Sequence, residues 1–134
     1  MKYKILFFLI SLNLSAQNYK LEAISIASKN KKDISAKYSS WNRMKSSYFI
    51  NIKEQTIETF NDQNDLNIIK ILKRYKITKN RNGDELLKFD CRENGGDFKL
   101  YFIKYTKPRN EIAGEIVMNY DVSFDLFIYS VKVL

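Results

Sequence analysis

Histidine is absent from this chain of 134 residues, and cysteine occurs only once, as Cys91. Without histidine, the chain lacks the usual general base near neutral pH and the commonest transition-metal ligand. A Ser-His-Asp or Cys-His catalytic arrangement therefore cannot be built, and the residues do not favour a zinc or copper site. We expect no catalytic residues, no metal site and no cofactor, and we predict that the protein is not an enzyme.

The lone cysteine has two consequences. A single cysteine cannot form an internal disulfide, so the fold must be held together by packing. Cys91 also alternates onto the same side of its segment as Leu87 and Phe89. Because reactive cysteines need an accessible, electropositive setting, this pattern predicts a buried structural thiol that packs as a small apolar side chain.

Carboxylates remain as a source of acid–base chemistry in a chain without histidine. Asp90, Glu93 and Asp97 surround one predicted turn, and Asp84 and Glu85 lie beside another. Acidic residues next to hairpin turns are normally solvated or hydrogen-bonded to the backbone. We therefore interpret these carboxylates as turn residues rather than as a catalytic pair.

The longest apolar run lies close to the N-terminus. Two lysines precede residues 5–14, which are apolar at all but two positions, and the small residue Ala16 follows. This order of charge, apolar run and small residue is typical of a secretory signal peptide. At about 1.5 Å per residue, such a run spans roughly half of the hydrocarbon core of a bilayer. We predict a signal peptide at residues 1–16 that is cleaved near Ala16, and one β domain at residues 17–134.

This interpretation predicts an exported protein, in the periplasm or outside the cell, with no transmembrane segment in its mature chain. The formal net charge is +8. Lysine outnumbers arginine, the residue that grips phosphate bidentately, and the basic residues are scattered along the sequence. Scattered lysines favour a solvated surface, so we expect no nucleic-acid partner.

Alternation of apolar and polar residues with period two recurs along the chain and predicts short β-strands. The segments are residues 20–27, 37–45, 48–53, 55–60, 68–77, 85–92, 98–106, 114–120 and 124–134. Residues 65–76 are ambiguous, because Ile68, Leu72 and Tyr75 also fall at helical spacing. The β-branched isoleucines there favour a strand.

Turn residues separate these segments. Asn82-Gly83 is the strongest hairpin signal, since both residues tolerate the positive φ that a type I′ turn requires. Residues 94–97 and the Pro108-containing residues 107–110 predict two further turns. Short links make neighbouring strands antiparallel. The predicted fold is all-β: a small antiparallel up-and-down barrel or a sandwich of about eight strands, with the barrel favoured by the meander.

The remaining candidates for a function are aromatic. Trp41, Tyr105, Tyr120 and Tyr129 are the candidate ligand-binding residues, because aromatic rings with a few polar groups form sites for sugars or lipids. A small barrel either fills its interior with side chains or holds one small ligand. The alternative is that these rings are ordinary core residues and cross-strand pairs.

The order of these features resembles that of a group of small exported bacterial proteins of unknown function. The resemblance covers most of residues 37–134, and this chain departs from the group in its basic charge. It implies a small β-barrel-like fold and implies no activity or functional residues. It is carried by the following positions: Trp41, Ile50-Asn51-Ile52, Thr56-Ile57, Gly83, Phe89-Asp90-Cys91, Gly95-Gly96 and residues 127–131.

Two functions stay open at this point. The first is a non-enzymatic exported binding protein whose barrel takes a small apolar or amphipathic ligand. The second is a protein–protein interaction or inhibitor module that binds another exported protein through a loop or a strand edge. The first predicts an open site in the barrel, and the second predicts an exposed apolar patch.

Overall fold

The computed structural model describes residues 18–33, 35 and 37–134. The predicted signal peptide therefore lies outside the described residues. Alternating residues produce nine β-strands in the described part of the chain, and strands account for most of it. They are β1 (Tyr19–Asn30), β2 (Asn42–Asn51), β3 (Thr56–Phe60), β4 (Leu66–Arg74), β5 (Thr78–Lys79), β6 (Glu85–Glu93), β7 (Gly96–Arg109), β8 (Ile112–Tyr120) and β9 (Asp125–Val133).

Eight of these strands form a closed barrel in which every pairing is antiparallel. Neighbours in sequence are neighbours in the sheet, apart from the short β5, which pairs only with β6. Two pairings close the sheet: β1 with β9, and β4 with β6. The structure confirms the predicted all-β antiparallel meander, and the closure decides for the barrel rather than the sandwich.

The ambiguous segment at residues 65–76 forms a strand, as predicted. In β4, Ile69 and Ile71 point into the barrel and are almost fully buried, whereas Ile68 and Leu72 face outward. The predicted strand around Trp41 begins later than expected. Strand β2 starts at Asn42, so Trp41 lies just before it.

The turns follow the glycine and asparagine signals, with two corrections. At Asn82-Gly83 only Gly83 has a positive φ, of 82°, so the loop between β5 and β6 is not the predicted type I′ turn. Asn94 and Gly95 form a two-residue turn with φ of 50° and 79°, as a type I′ hairpin requires. The turn predicted at residues 107–110 was placed too early, because Pro108 lies within β7. The chain reverses instead at Asn110 and Glu111, which both have positive φ.

The barrel has two ends that differ in their connections. We call the end that carries the β1–β2, β3–β4, β6–β7 and β8–β9 connections the upper end. The other end, with the β2–β3, β4–β6 and β7–β8 connections, is the lower end. The chain enters β1 at the lower end and leaves β9 there.

Apolar side chains fill the middle of the barrel. Each strand points alternate residues inward, and these form one continuous core. Its most buried large members include Phe89, Phe102, Leu21, Ile50, Ile57, Ile69, Leu100 and Ile116, all with 1% exposure or less. An eight-stranded barrel is just wide enough for side chains to fill. A ligand of this barrel would therefore have to bind at one of its ends.

Candidate functional site

The inward-facing residues change character towards the upper end. Strands β2, β8 and β9 point apolar side chains into the middle of the barrel. Each also points a tyrosine inward, two residues nearer the upper end. Tyr48 precedes Ile50 in β2, Tyr120 follows Met118 in β8, and Tyr129 precedes Val131 in β9. Strands β4 and β6 contribute two polar residues to this end, Asn67 and Glu93. We call these five residues, Tyr48, Asn67, Glu93, Tyr120 and Tyr129, the tyrosine mouth.

Aromatic contacts hold the rings of the mouth in place. The ring centroids of Tyr48 and Tyr129 are 6.1 Å apart. Tyr120 lies between Phe98, at 4.7 Å, and Phe127, at 6.2 Å. Contacts at these separations are favourable for tilted and edge-to-face rings. These contacts give the mouth a wall of packed aromatic rings.

Polar groups converge among the rings. The amide nitrogen Nδ2 of Asn67 donates a hydrogen bond to Oε1 of Glu93. Ser46 lies two residues before Tyr48 on the same inward face of β2, and it is 8% exposed. The Ser46 hydroxyl interacts with that of Tyr48, which in turn interacts with that of Tyr129. The buried hydroxyls on this side of the mouth therefore form one connected group.

The tyrosine hydroxyls remain protonated at neutral pH. Burial raises the pKa of Tyr120 to about 12, and Tyr129 and the Glu93 carboxylate add to the effect. Burial likewise raises the pKa of Tyr48 and of Tyr129 above the ordinary value of 10.0. Each hydroxyl can therefore both donate and accept a hydrogen bond.

An open depression adjoins the mouth between the β6–β7 and β8–β9 turns. It has a volume of about 420 Å³, and the rings of Phe98 and Tyr120 line it together with Glu93, Asp97 and Asp121. Asp97 is paired with Arg92 at 2.7 Å. Carboxylates beside aromatic rings favour a ligand group that donates hydrogen bonds or carries positive charge.

The structure brings together two of the four candidate residues predicted from sequence. Tyr120 and Tyr129 both belong to the mouth. Trp41 precedes β2 at the same end and is about half exposed. Tyr105 lies near the lower end, where its hydroxyl donates to Glu115 and the Arg109 guanidinium lies 4.3 Å from its ring.

Sequence reasoning missed Tyr48, Asn67 and Glu93 as parts of this site. The period-two alternation of the sequence already indicates that two of them face inward. Tyr48 shares a face with Ile50, and Glu93 continues the inward series of Leu87 and Cys91. Nothing in the sequence placed Asn67 beside Glu93, because the β4–β6 pairing that joins them closes the barrel.

The other residues singled out from sequence have structural partners. Cys91 is fully buried, which confirms the predicted buried thiol, and burial raises its pKa to about 12. Asp90 accepts hydrogen bonds from Tyr75 and Lys99. Asp84 is buried and accepts one from the backbone N–H of Thr106 at 2.9 Å.

The described residues offer neither a metal-binding cluster nor a membrane-spanning helix. In residues 18–33, 35 and 37–134, no group of three or more His, Cys, Asp or Glu side chains is arranged to hold a metal ion. The same residues contain no helix with the length and hydropathy needed to cross a bilayer. Comparison with protein-family models, with curated proteins and with solved structures finds no match to this chain.

Proposed function

We propose that this chain is an exported, non-enzymatic binding protein that takes one small amphipathic ligand at the tyrosine mouth. The observation that carries the proposal is the convergence of three protonated tyrosine hydroxyls and the Glu93 carboxylate at one end of an otherwise apolar interior. The N-terminal pattern of charge, apolar run and small residue supports export.

The chemistry of the mouth defines the ligand. Its apolar part packs against the partly exposed rings of Tyr120 and Phe127, beside the buried ring of Phe98. Its polar head meets the tyrosine hydroxyls and Glu93. Because these acceptors include carboxylates, the favoured head donates hydrogen bonds or is a cation. The packed middle of the barrel limits the ligand to a short apolar chain or one ring.

The first experiment uses octylammonium as the probe and sodium octanoate as its matched control of opposite charge. Titration is followed by NMR chemical shifts of the protein. We expect octylammonium to shift the signals of Tyr48, Tyr120 and Tyr129 and to leave Tyr105 unchanged. Equal binding of octanoate would show that the carboxylates do not select the head group.

The second experiment uses variants that keep the rings. Glu93→Gln removes the charge, and loss of a hydrogen bond to a charged group costs about 1.5–3 kcal/mol. We expect octylammonium affinity to fall by roughly ten- to a hundredfold. Tyr105→Phe, at the lower end, is the control and should bind as the wild type does. A bare polypeptide mass for protein taken from its own compartment, with no probe binding at the mouth, would refute the function.

A second candidate function is protein–protein interaction through the outer face of the barrel. Leu66, Ile68 and Leu72 are exposed on the outer face of β4. Phe60 of β3 is opposite Leu66, and its ring centroid lies 5.6 Å from that of Phe49 in β2. A contiguous exposed apolar patch is typical of an interaction surface. Ile68→Ser should abolish partner capture from the exported fraction if this face binds, whereas Glu93→Gln should not.

A further inference from the structure

Basic residues that are scattered in the sequence gather at the lower end of the barrel. Five of residues 73–81 and three of residues 104–109 are basic, and neither range contains an acidic residue. Strand pairing places the two ranges on either side of the start of β6, since Lys79 is opposite Glu85 and Glu85 is opposite Lys104 in the next strand. We call residues 73–81 and 104–109 the basic end.

The basic end carries an excess of positive charge after the neighbouring acidic residues are counted. Among the nearby acidic residues, Asp84 is buried and lies 3.9 Å from Arg109. Glu115 accepts a hydrogen bond from Tyr105. Glu85, Glu111 and Asp90, which is opposite Lys73, are the other three acidic neighbours, so eight basic residues face five acidic ones. Most of the basic side chains are solvent-exposed, including Lys76, Lys79 and Lys107.

Contacts between the two ranges fix their arrangement. The backbone N–H of Thr106 donates to Asp84, whose loop follows residues 73–81 directly. The Arg109 guanidinium lies 4.3 Å from the ring of Tyr105. A depression of about 360 Å³ is lined by Asn82, Asp84 and residues 106–109. The basic end therefore includes a depression with room for a head group.

Exposed apolar side chains lie at the same end. Ile77, between Lys76 and Thr78, is 48% exposed, and the C-terminal Val133 and Leu134 are more exposed still. Lysines that extend their charges to the lipid head groups beside inserted apolar side chains are typical of proteins at membrane interfaces. A soluble polyanion offers no apolar phase for Ile77 or Leu134.

From this juxtaposition we propose that the basic end docks the barrel onto an anionic lipid surface. The basic side chains contact the lipid phosphates, and Ile77 and Leu134 enter the interface. This orientation turns the upper end, with the tyrosine mouth, away from the membrane. The proposal does not depend on the ligand of the mouth, because the two sites lie at opposite ends of the barrel.

The test uses the exported form of the protein, whose N-terminus is determined by mass spectrometry. Cosedimentation is measured with vesicles of phosphatidylcholine alone and with vesicles that also contain phosphatidylglycerol. Each basic residue near an anionic surface contributes about fivefold in affinity. Lys76→Gln with Lys107→Gln should therefore lower binding to the anionic vesicles by roughly 25-fold. Lys32→Gln with Lys37→Gln makes the same charge change at the upper end and should lower it less than about threefold. All four lysines are exposed, so both variants should melt as the wild type does.

Three results would overturn the proposal. Equal losses in the two double variants would show that net charge alone attracts the protein. Equal binding to vesicles with and without phosphatidylglycerol would show that the basic residues are not used. Binding to heparin with no binding to anionic vesicles would identify a soluble polyanion instead. Ile77→Ser tests the apolar contact with the lipid. It should weaken vesicle binding severalfold and leave heparin binding unchanged, because heparin offers no apolar phase.

Discussion

Gly114 in β8 is the position where the addition of one methyl group should damage the barrel most. A Cβ on Gly114 would lie 2.1 Å from the carbonyl oxygen of Ile103 and 3.0 Å from Cε1 of Phe102. The φ of Gly114 is not positive, unlike that of Gly83 and Gly95, so the obstacle is contact rather than backbone conformation. The obstructing oxygen belongs to the neighbouring strand β7. This strand is held in place by its hydrogen bonds to β8 and by the buried side chain of Phe102.

The magnitude follows from this contact. Overpacking a well-packed site costs about 1–3 kcal/mol, and occasionally more. Because a backbone carbonyl rather than a flexible side chain must move, we expect Gly114→Ala to lower the free energy of unfolding by about 3 kcal/mol. For a domain of this size, that corresponds to a fall in Tm on the order of 10 °C.

The assay compares Gly114→Ala with Gly96→Ala by thermal and urea unfolding, followed by circular dichroism. Gly96 is the matched control, because its Cβ would meet only the carbonyl oxygen of Glu93 at 3.5 Å, an ordinary contact. We expect the control to stay within about 0.5 kcal/mol of the wild type. Melting temperatures of the two variants within about 2 °C of each other would refute the steric argument.

Three further predictions concern the core and the buried polar groups. Phe89 has 0% exposure, so Phe89→Ala should destabilise the protein by about 3–5 kcal/mol in urea unfolding; a loss below about 1 kcal/mol would contradict a packed barrel. Burial raises the pKa of Cys91 to about 12, so a thiol reagent should label the native protein only as fast as it unfolds, and rapid labelling would contradict the burial. Hydrogen bonding from Thr106 lowers the pKa of Asp84 below 3.8, so its stabilising effect is present at neutral pH and is lost as the pH falls through the lowered value. Asp84→Asn should therefore lower Tm at pH 7 and lower it less below about pH 4, whereas a pH-independent difference would show that the charge is not involved.

The strands could be predicted from sequence because their causes are local. Alternating apolar residues make one face of a strand bury itself, and Asn94-Gly95 supplies the positive φ of a tight hairpin. The β7–β8 turn was misplaced because Pro108 suits a turn, yet its fixed φ is also tolerated in a strand. There, Asn110 and Glu111 take the positive φ instead, which glycine would more often provide.

The candidate site was predicted only in part, since it depends on pairs that lie far apart in the sequence. Tyr120 and Tyr129 share a hairpin, and their proximity follows from local alternation. Tyr48 reaches Tyr129 only because β1 pairs with both β2 and β9. Tyr105 is equivalent to them by residue type, but β7 runs from the upper to the lower end, and Tyr105 lies near its lower end, away from the mouth.

The sequence by itself determined the strands, most of the turns, the buried Cys91 and the absence of histidine chemistry, because each depends on residue type and nearest neighbours. Only the tertiary structure decided the closure through β1–β9 and β4–β6, which sets Asn67 beside Glu93. It also decided where charge accumulates. Lysines and arginines that are dispersed along the chain lie together at the lower end, because antiparallel strands return distant segments to the same end of the barrel.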